Sequence, residues 1–311
     1  MRDRDGPGVV SVPVIAPSKG LPHVRRSSLV LALLLLVGAL SAAGVAQAGE
    51  PERYVALGDS YSAGPLVPPQ EGMPVGCLRS GSNFPSVVAA GIGAAEFVDV
   101  SCSGATTDDL TAPQSVALGS NPPQLDALTG AEDLVTLTIG GNDVGFADII
   151  GRCALTSPTD LFGAACKASY GSTLDERIAV AGEKVATALD AVAKRSPDAT
   201  VALVGYPALL PDEGPGCFPL VPFSAGDVAW LRGVEKDLNA TLAARAAAAG
   251  ATYVDTYTPT IGHDMCQVPG VKWIEGLLPT APAAPVHPNE LGMKAMGAAV
   301  LKTLNTTPTA A

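Results

Sequence analysis

Arg53-Tyr54-Val55-Ala56-Leu57-Gly58-Asp59-Ser60-Tyr61-Ser62 runs from a short apolar stretch directly into a glycine and a polar turn. Residues 53–57 read as a buried strand, and Gly58-Asp59-Ser60 as the loop at its carboxyl end. Working outward, further apolar, β-branched runs stand at 96–101, 134–139, 200–204 and 252–255. Between them lie segments with helical spacing at 84–92, 124–128, 174–194 and 225–249, and a last one at 289–304. Alternation of this kind predicts an α/β fold, because right-handed crossovers place each helix against a parallel sheet between successive strands. Ligands in such sheets bind beyond the carboxyl ends of the strands, so the loops to inspect follow Leu57, Ser101, Ile139, Val204 and Asp255.

The chain before the first strand has a different character. A loosely polar stretch ends in Arg25-Arg26, residues 29–40 are almost entirely aliphatic, and Ala46-Gln47-Ala48 supplies small residues. That order predicts a secretory signal peptide over residues 1–48, with an uncleaved anchor as the alternative. Without those residues the 19 Lys/Arg and 30 Asp/Glu of the full chain become 14 and 28, a net charge of about −14. A surface so acidic repels nucleic acid and anionic membranes, and no basic cluster after residue 48 offers an exception. Residues 49–304 suffice for one domain with a substantial core, and 305–311 read as a frayed tail.

Six cysteines, Cys77, Cys102, Cys153, Cys166, Cys217 and Cys266, all follow the leader, which suits an oxidising compartment. Sequence alone permits fifteen pairings. None has zinc-knuckle spacing, and only His263 and His287 accompany them after residue 48, so no metal site is expected.

Three loops and one helix start carry chemistry. Ser60 directly after the first strand presents a hydroxyl and a backbone N–H at the sheet rim, but a serine hydroxyl needs a neighbouring base to become nucleophilic. Gly104, in Ser101-Cys102-Ser103-Gly104-Ala105, offers a backbone N–H open to close approach. Asn142, in Ile139-Gly140-Gly141-Asn142-Asp143, offers a side-chain amide for an oxygen that turns negative as an ester carbonyl becomes tetrahedral. In Val286-His287-Pro288-Asn289 an imidazole precedes the last helix. Taken singly, each is a common turn or cap. Their joint occurrence in loops points to function.

Together, Gly58-Asp59-Ser60, Gly104, Gly140-Gly141-Asn142-Asp143 and His287-Pro288-Asn289 resemble the four signature blocks of the SGNH/GDSL hydrolase family, over a span from Arg53 to Leu304. The resemblance implies a three-layer, flavodoxin-like α/β/α sandwich with a five-stranded parallel sheet. It also implies Ser60 as nucleophile, His287 as general base and acid, an oxyanion hole from Ser60 N–H, Gly104 N–H and the Asn142 side chain, and no cofactor. The family's usual aspartate three residues before the histidine is here Ala284. The chain looks most similar to secreted actinobacterial GDSL esterases and lipases in which a backbone carbonyl replaces that acid, and by that likeness the Ala284 oxygen is expected to orient the ring. Asp255, Asp264 or another acid from a different loop is the alternative. The same likeness implies the disulfides Cys77–Cys102, Cys153–Cys166 and Cys217–Cys266. His263 is expected to line a loop wall, while residues 217–223 either line an acyl pocket or pack a braced loop.

The expected protein is a secreted, extracellular, monomeric serine esterase or lipase. Its partner is a small-molecule or lipid ester, with no nucleic acid and no stable membrane partner once the leader is removed. The rivals are a polysaccharide O-acetyl esterase and a non-catalytic exported binding protein on the same fold.

Overall fold

The computed structural model describes residues 53–304. The expected leader, 1–48, and the tail, 305–311, lie outside the described residues. Strand β1 (Arg53–Gly58) pairs in parallel with β2 (Glu96–Asp99) on one side and β3 (Leu134–Thr138) on the other. Strands β4 (Thr200–Val204) and β5 (Thr252–Val254) extend the sheet in the order β2-β1-β3-β4-β5, every pair parallel. Chain order therefore reverses between β1 and β3, and the crevice at such a reversal is where open α/β sheets bind ligands. In the register Gly58 stands opposite Thr138, so both strands end level at that crevice.

Strand β3 is buried throughout, as are residues 54–58 of β1, which marks them as central strands covered on both faces. The one polar pair between them is satisfied, since the Tyr54 and Thr136 hydroxyls lie 2.7 Å apart. Helices α2 (Phe84–Ile92) and α8 (Glu290–Thr303) pack together, and so do α6 (Thr173–Arg195) and α7 (Ala225–Ala248). Because β1-to-β2 runs the opposite way from β3-to-β4-to-β5, right-handed crossovers place these two pairs on opposite faces. Side-chain caps fix three of their starts, with Asn83 at α2, Ser224 at α7 and Asn289 at α8.

Four further short helices complete the chain order: α1 (Ser60–Ala63), α3 (Gly141–Val144), α4 (Phe146–Thr156) and α5 (Ala165–Tyr170). Helix patterning does not anticipate α4 and α5. Their stability comes from afar, because Cys153 of α4 is bonded to Cys166 of α5 and the Asp227 carboxylate of α7 accepts the Cys166 and Lys167 N–H groups. The expected helix at 124–128 is only a 3₁₀ turn, Gln124–Ala127, whose Gln124 amide exchanges hydrogen bonds with both backbone groups of Gly58. Disulfides Cys77–Cys102 and Cys217–Cys266 close two longer loops. Loop closure of this kind contributes about 2 to 4 kcal/mol per bond.

Candidate active site

The first strand ends in a conformation that only glycine holds comfortably. Gly58 has φ of +135°, and a Cβ there would lie 2.5 Å from the Thr138 carbonyl oxygen. The chain then turns at Asp59, whose carboxylate accepts the Tyr61 N–H at 2.9 Å and caps α1. Ser60 opens that short helix at the sheet rim, and its N–H has no acceptor among the described residues.

The Ser60 Oγ lies 2.8 Å from His287 Nε2, and His287 Nδ1 lies 2.7 Å from the Pro285 carbonyl oxygen. A carbonyl only accepts, so Nδ1 carries the proton and Nε2 is left with a lone pair facing the serine hydroxyl. Burial lowers the His287 pKa, and the Pro285 carbonyl opposes that fall in part.

The orienting oxygen is therefore one residue later than expected. Ala284 oxygen instead accepts the His287 backbone N–H at 3.2 Å, closing a reverse turn with Pro285 and Val286 at its centre. Val286 has φ of +62°, and a proline followed by a residue of positive φ is the signature of a turn whose middle peptide is flipped. The flip carries the Pro285 carbonyl round to the ring. A β-branched residue in that region is strained by about 1 to 3 kcal/mol. Surrounding bonds hold it there: the Tyr61 hydroxyl donates to Val286 oxygen at 2.8 Å, Ala284 N–H to Pro65 oxygen at 2.9 Å, and Glu275 N–H to His287 oxygen at 2.9 Å. Neither alternative acid is bonded to the ring. Asp255 accepts the N–H groups of Tyr257 and Thr258, and Asp264 accepts from Cys266 and Gln267.

Asn142, on α3, faces the same cleft as Ser60 and His287. One hydrogen of its amide is held by the Ala105 carbonyl at 2.8 Å, which leaves the second for an incoming oxygen. Gly104 lies one residue before that carbonyl, exposed, with φ of +82° and an N–H that has no acceptor among the described residues. Asp143 fastens the two loops by accepting the Thr107 N–H and hydroxyl at 3.0 and 2.7 Å, with Lys184 3.3 Å away.

Behind Ser60 runs a chain that sequence reading misses. Gly141 N–H donates to the Tyr206 hydroxyl at 2.8 Å, and that hydroxyl donates to Asp59 at 2.6 Å. It links the Ser60 loop to the Asn142 loop through buried groups. Burial pushes the Asp59 carboxyl up to about 7, while the bonds from Tyr206 and Tyr61 pull it down. A signal for Tyr206 existed, since it stands in the loop after the fourth strand, but nothing in the sequence singled out its side chain.

From the Ser60–His287 pair a cleft of about 280 Å³ extends between α4 and α7, with apolar walls that include Phe146, Ile150, Leu209 and Leu238. Residues 217–223 do not line it. Val221 and Phe223 are buried in the core, while Phe218 and Leu220 are exposed. His263 stacks flat on Trp273 with ring centroids 3.5 Å apart and lies outside the cleft.

The model of the GDSL-like lipase/acylhydrolase family matches residues 56–295. Lipase 2 of Streptomyces coelicolor is 41% identical over 287 residues, covering 90% of this chain and 96% of the relative. Among solved structures, phospholipase A1 of Streptomyces albidoflavus NA297 matches with a TM-score of 0.69 at 29% identity, over 83% of this chain and 99% of its own. The extracellular lipase of Streptomyces rimosus matches with a TM-score of 0.64 at 31% identity, over 82% and 99%.

Proposed function

This chain belongs to the GDSL-like lipase/acylhydrolase family and is a carboxylic ester hydrolase, and we propose that it works through an acyl-enzyme on Ser60 with His287 as base and acid. The observation that carries this reading is the unbroken line Ser60 Oγ, His287 Nε2, His287 Nδ1, Pro285 oxygen, with contacts of 2.8 and 2.7 Å at its two ends.

In acylation His287 Nε2 takes the Ser60 proton as Oγ attacks the ester carbonyl. The oxygen that becomes negative is met by Ser60 N–H, Gly104 N–H and the second amide hydrogen of Asn142, donors worth about 3 kcal/mol each to such a transition state. The protonated imidazole returns its proton to the leaving alcohol. Water then attacks the acyl-enzyme with the roles repeated. A neutral carbonyl behind Nδ1 holds the tautomer and the ring orientation, though it stabilises the imidazolium less than a carboxylate does.

The apolar cleft favours an acyl chain longer than acetyl, and the lipases and phospholipase among the relatives point the same way, so the substrates on this reading are lipid esters. The place of work is outside the cell, where three disulfides are stable and residues 1–48 act as the cleaved leader of a monomeric enzyme. Nitrophenyl esters of increasing chain length and a fluorophosphonate probe test the reading on the secreted protein and on Ser60→Ala. Wild type is expected to hydrolyse and to label, and Ser60→Ala to do neither. Wild type that does neither, or label that persists in Ser60→Ala, overturns it.

A further inference from the structure

Away from the Ser60–His287 end and the Asp59–Tyr206 chain, one carboxyl interrupts the apolar walls of the cleft. Glu235, on α7 one turn from Leu238, is 3% exposed and borders the cleft, yet no reaction step above uses it. Its only hydrogen-bond donor among the described residues is the Leu209 N–H, shared between its two oxygens at 3.2 and 3.3 Å.

The groups around Glu235 are engaged elsewhere. The Tyr61 hydroxyl donates to Val286, that of Tyr206 to Asp59, and that of Tyr257 to Asp212. Lys236, the adjacent cation, is paired with Asp212 at 2.6 Å, and Arg232 donates to the Pro211 and Gly214 carbonyls. Burial pushes the Glu235 carboxyl well above its ordinary value, the Leu209 N–H and Lys236 oppose the rise and Asp264 adds to it, so the neutral acid is favoured. The neutral acid has one oxygen for the Leu209 N–H and one O–H that needs an acceptor. Its two oxygens meet the Leu209 N–H, and Glu235 is itself a lining residue of the cleft, so a group bound there can supply that acceptor.

We propose that Glu235 is a specificity-determining residue that selects acyl chains carrying an acceptor oxygen, as a hydroxyl, ketone or ether, over plain hydrocarbon chains. The inference rests on the cleft being the acyl site of the Ser60 mechanism. Water satisfies the carboxyl O–H while the cleft is empty. A hydrocarbon chain that displaces this water leaves the O–H without a partner, whereas a chain oxygen at the right position replaces it. Restoring one such bond changes relative rates by about tenfold.

The test compares nitrophenyl octanoate with a set of oxo-octanoates in which the ketone moves along the chain, for wild type, Glu235→Gln and Glu235→Leu. In wild type at least one oxo ester is expected to exceed octanoate in kcat/KM by about tenfold. Glu235→Gln, which keeps an N–H donor on the same stem, is expected to retain that preference. In Glu235→Leu it falls to parity or reverses. Fluorophosphonate labelling and thermal melting monitor folding, and if the leucine variant does not fold, the wild-type series alone decides. Wild type that labels and hydrolyses octanoate but prefers no oxo ester overturns the inference and leaves the Ser60 mechanism standing. An equal preference in wild type and a folded Glu235→Leu overturns it too. Absence of labelling in wild type would instead strike the mechanism.

Discussion

The hydroxyl of Tyr61 donates to the carbonyl oxygen of Val286 at 2.8 Å, so the residue beside the proposed nucleophile is bonded to the residue beside the proposed base. The Tyr61 ring also stacks on His287, with centroids 5.0 Å apart. Tyr61 thus positions the base from the nucleophile's side. In Tyr61→Phe the stack stays and the bond goes, and kcat is expected to fall about tenfold, the equivalent of one hydrogen bond, with KM nearly unchanged. A lower melting temperature with kcat intact would reduce Tyr61 to a structural role.

In the proposed mechanism only the neutral imidazole of His287 can take the serine proton. Activity is therefore lost as pH falls through the His287 pKa, and burial places that value below its ordinary 6.5. The acid limb of the kcat/KM profile is expected below 6.5. A limb above it would contradict a partly buried base supported only by a carbonyl.

Asp59 makes stability depend on pH in the sense opposite to an ordinary surface carboxylate. Its carboxyl titrates near 3.8 when unfolded and near 7 when folded, so the folded protein holds the proton more tightly. Its stabilising contribution is fully present below about 3.8 and is lost as pH rises through about 7. Over that window wild type is expected to lose up to about 1.4 kcal/mol per pH unit relative to Asp59→Asn. Urea unfolding at a series of pH values measures the two slopes, and parallel curves would mean that Asp59 stays ionised.

Among the described residues no carboxylate is hydrogen-bonded to the His287 ring, and the oxygen that meets Nδ1 belongs to the main chain. Replacing Asp255 or Asp264 by Asn is expected to leave kcat within a few-fold of wild type. A fall of about 10⁴, the scale of losing a triad acid, would identify a carboxylate that reaches the ring during turnover.

The sheet was legible because strand and helix patterns alternate, and the Ser60, Asn142 and His287 loops because each follows a strand or precedes a helix. The orienting oxygen was misread by one residue for a local reason. Valine disfavours positive φ, so nothing in Ala284-Pro285-Val286-His287 announces the turn that flips the Pro285 carbonyl. Tyr206 and Glu235 escaped for a longer-range one. Each is an ordinary residue in its own segment, and only the packing of α7 and the 206–209 loop beside the Ser60 loop makes either a wall of the site. Helix α5 likewise depends on a cap supplied by Asp227 from another helix, which no local window contains.

The oxygen behind His287 is present whatever amino acid occupies position 285, so no single codon change deletes it. Vulnerability passes instead to what aims the carbonyl: Tyr61, which grips Val286, and the segment at Glu275 and Gly276, whose N–H and carbonyl hold the far side of the turn. In a saturation library the orienting position itself should tolerate broad replacement, while inactivating hits gather on neighbours that move none of the reaction's protons. The third member of this site is heritable only as a shape.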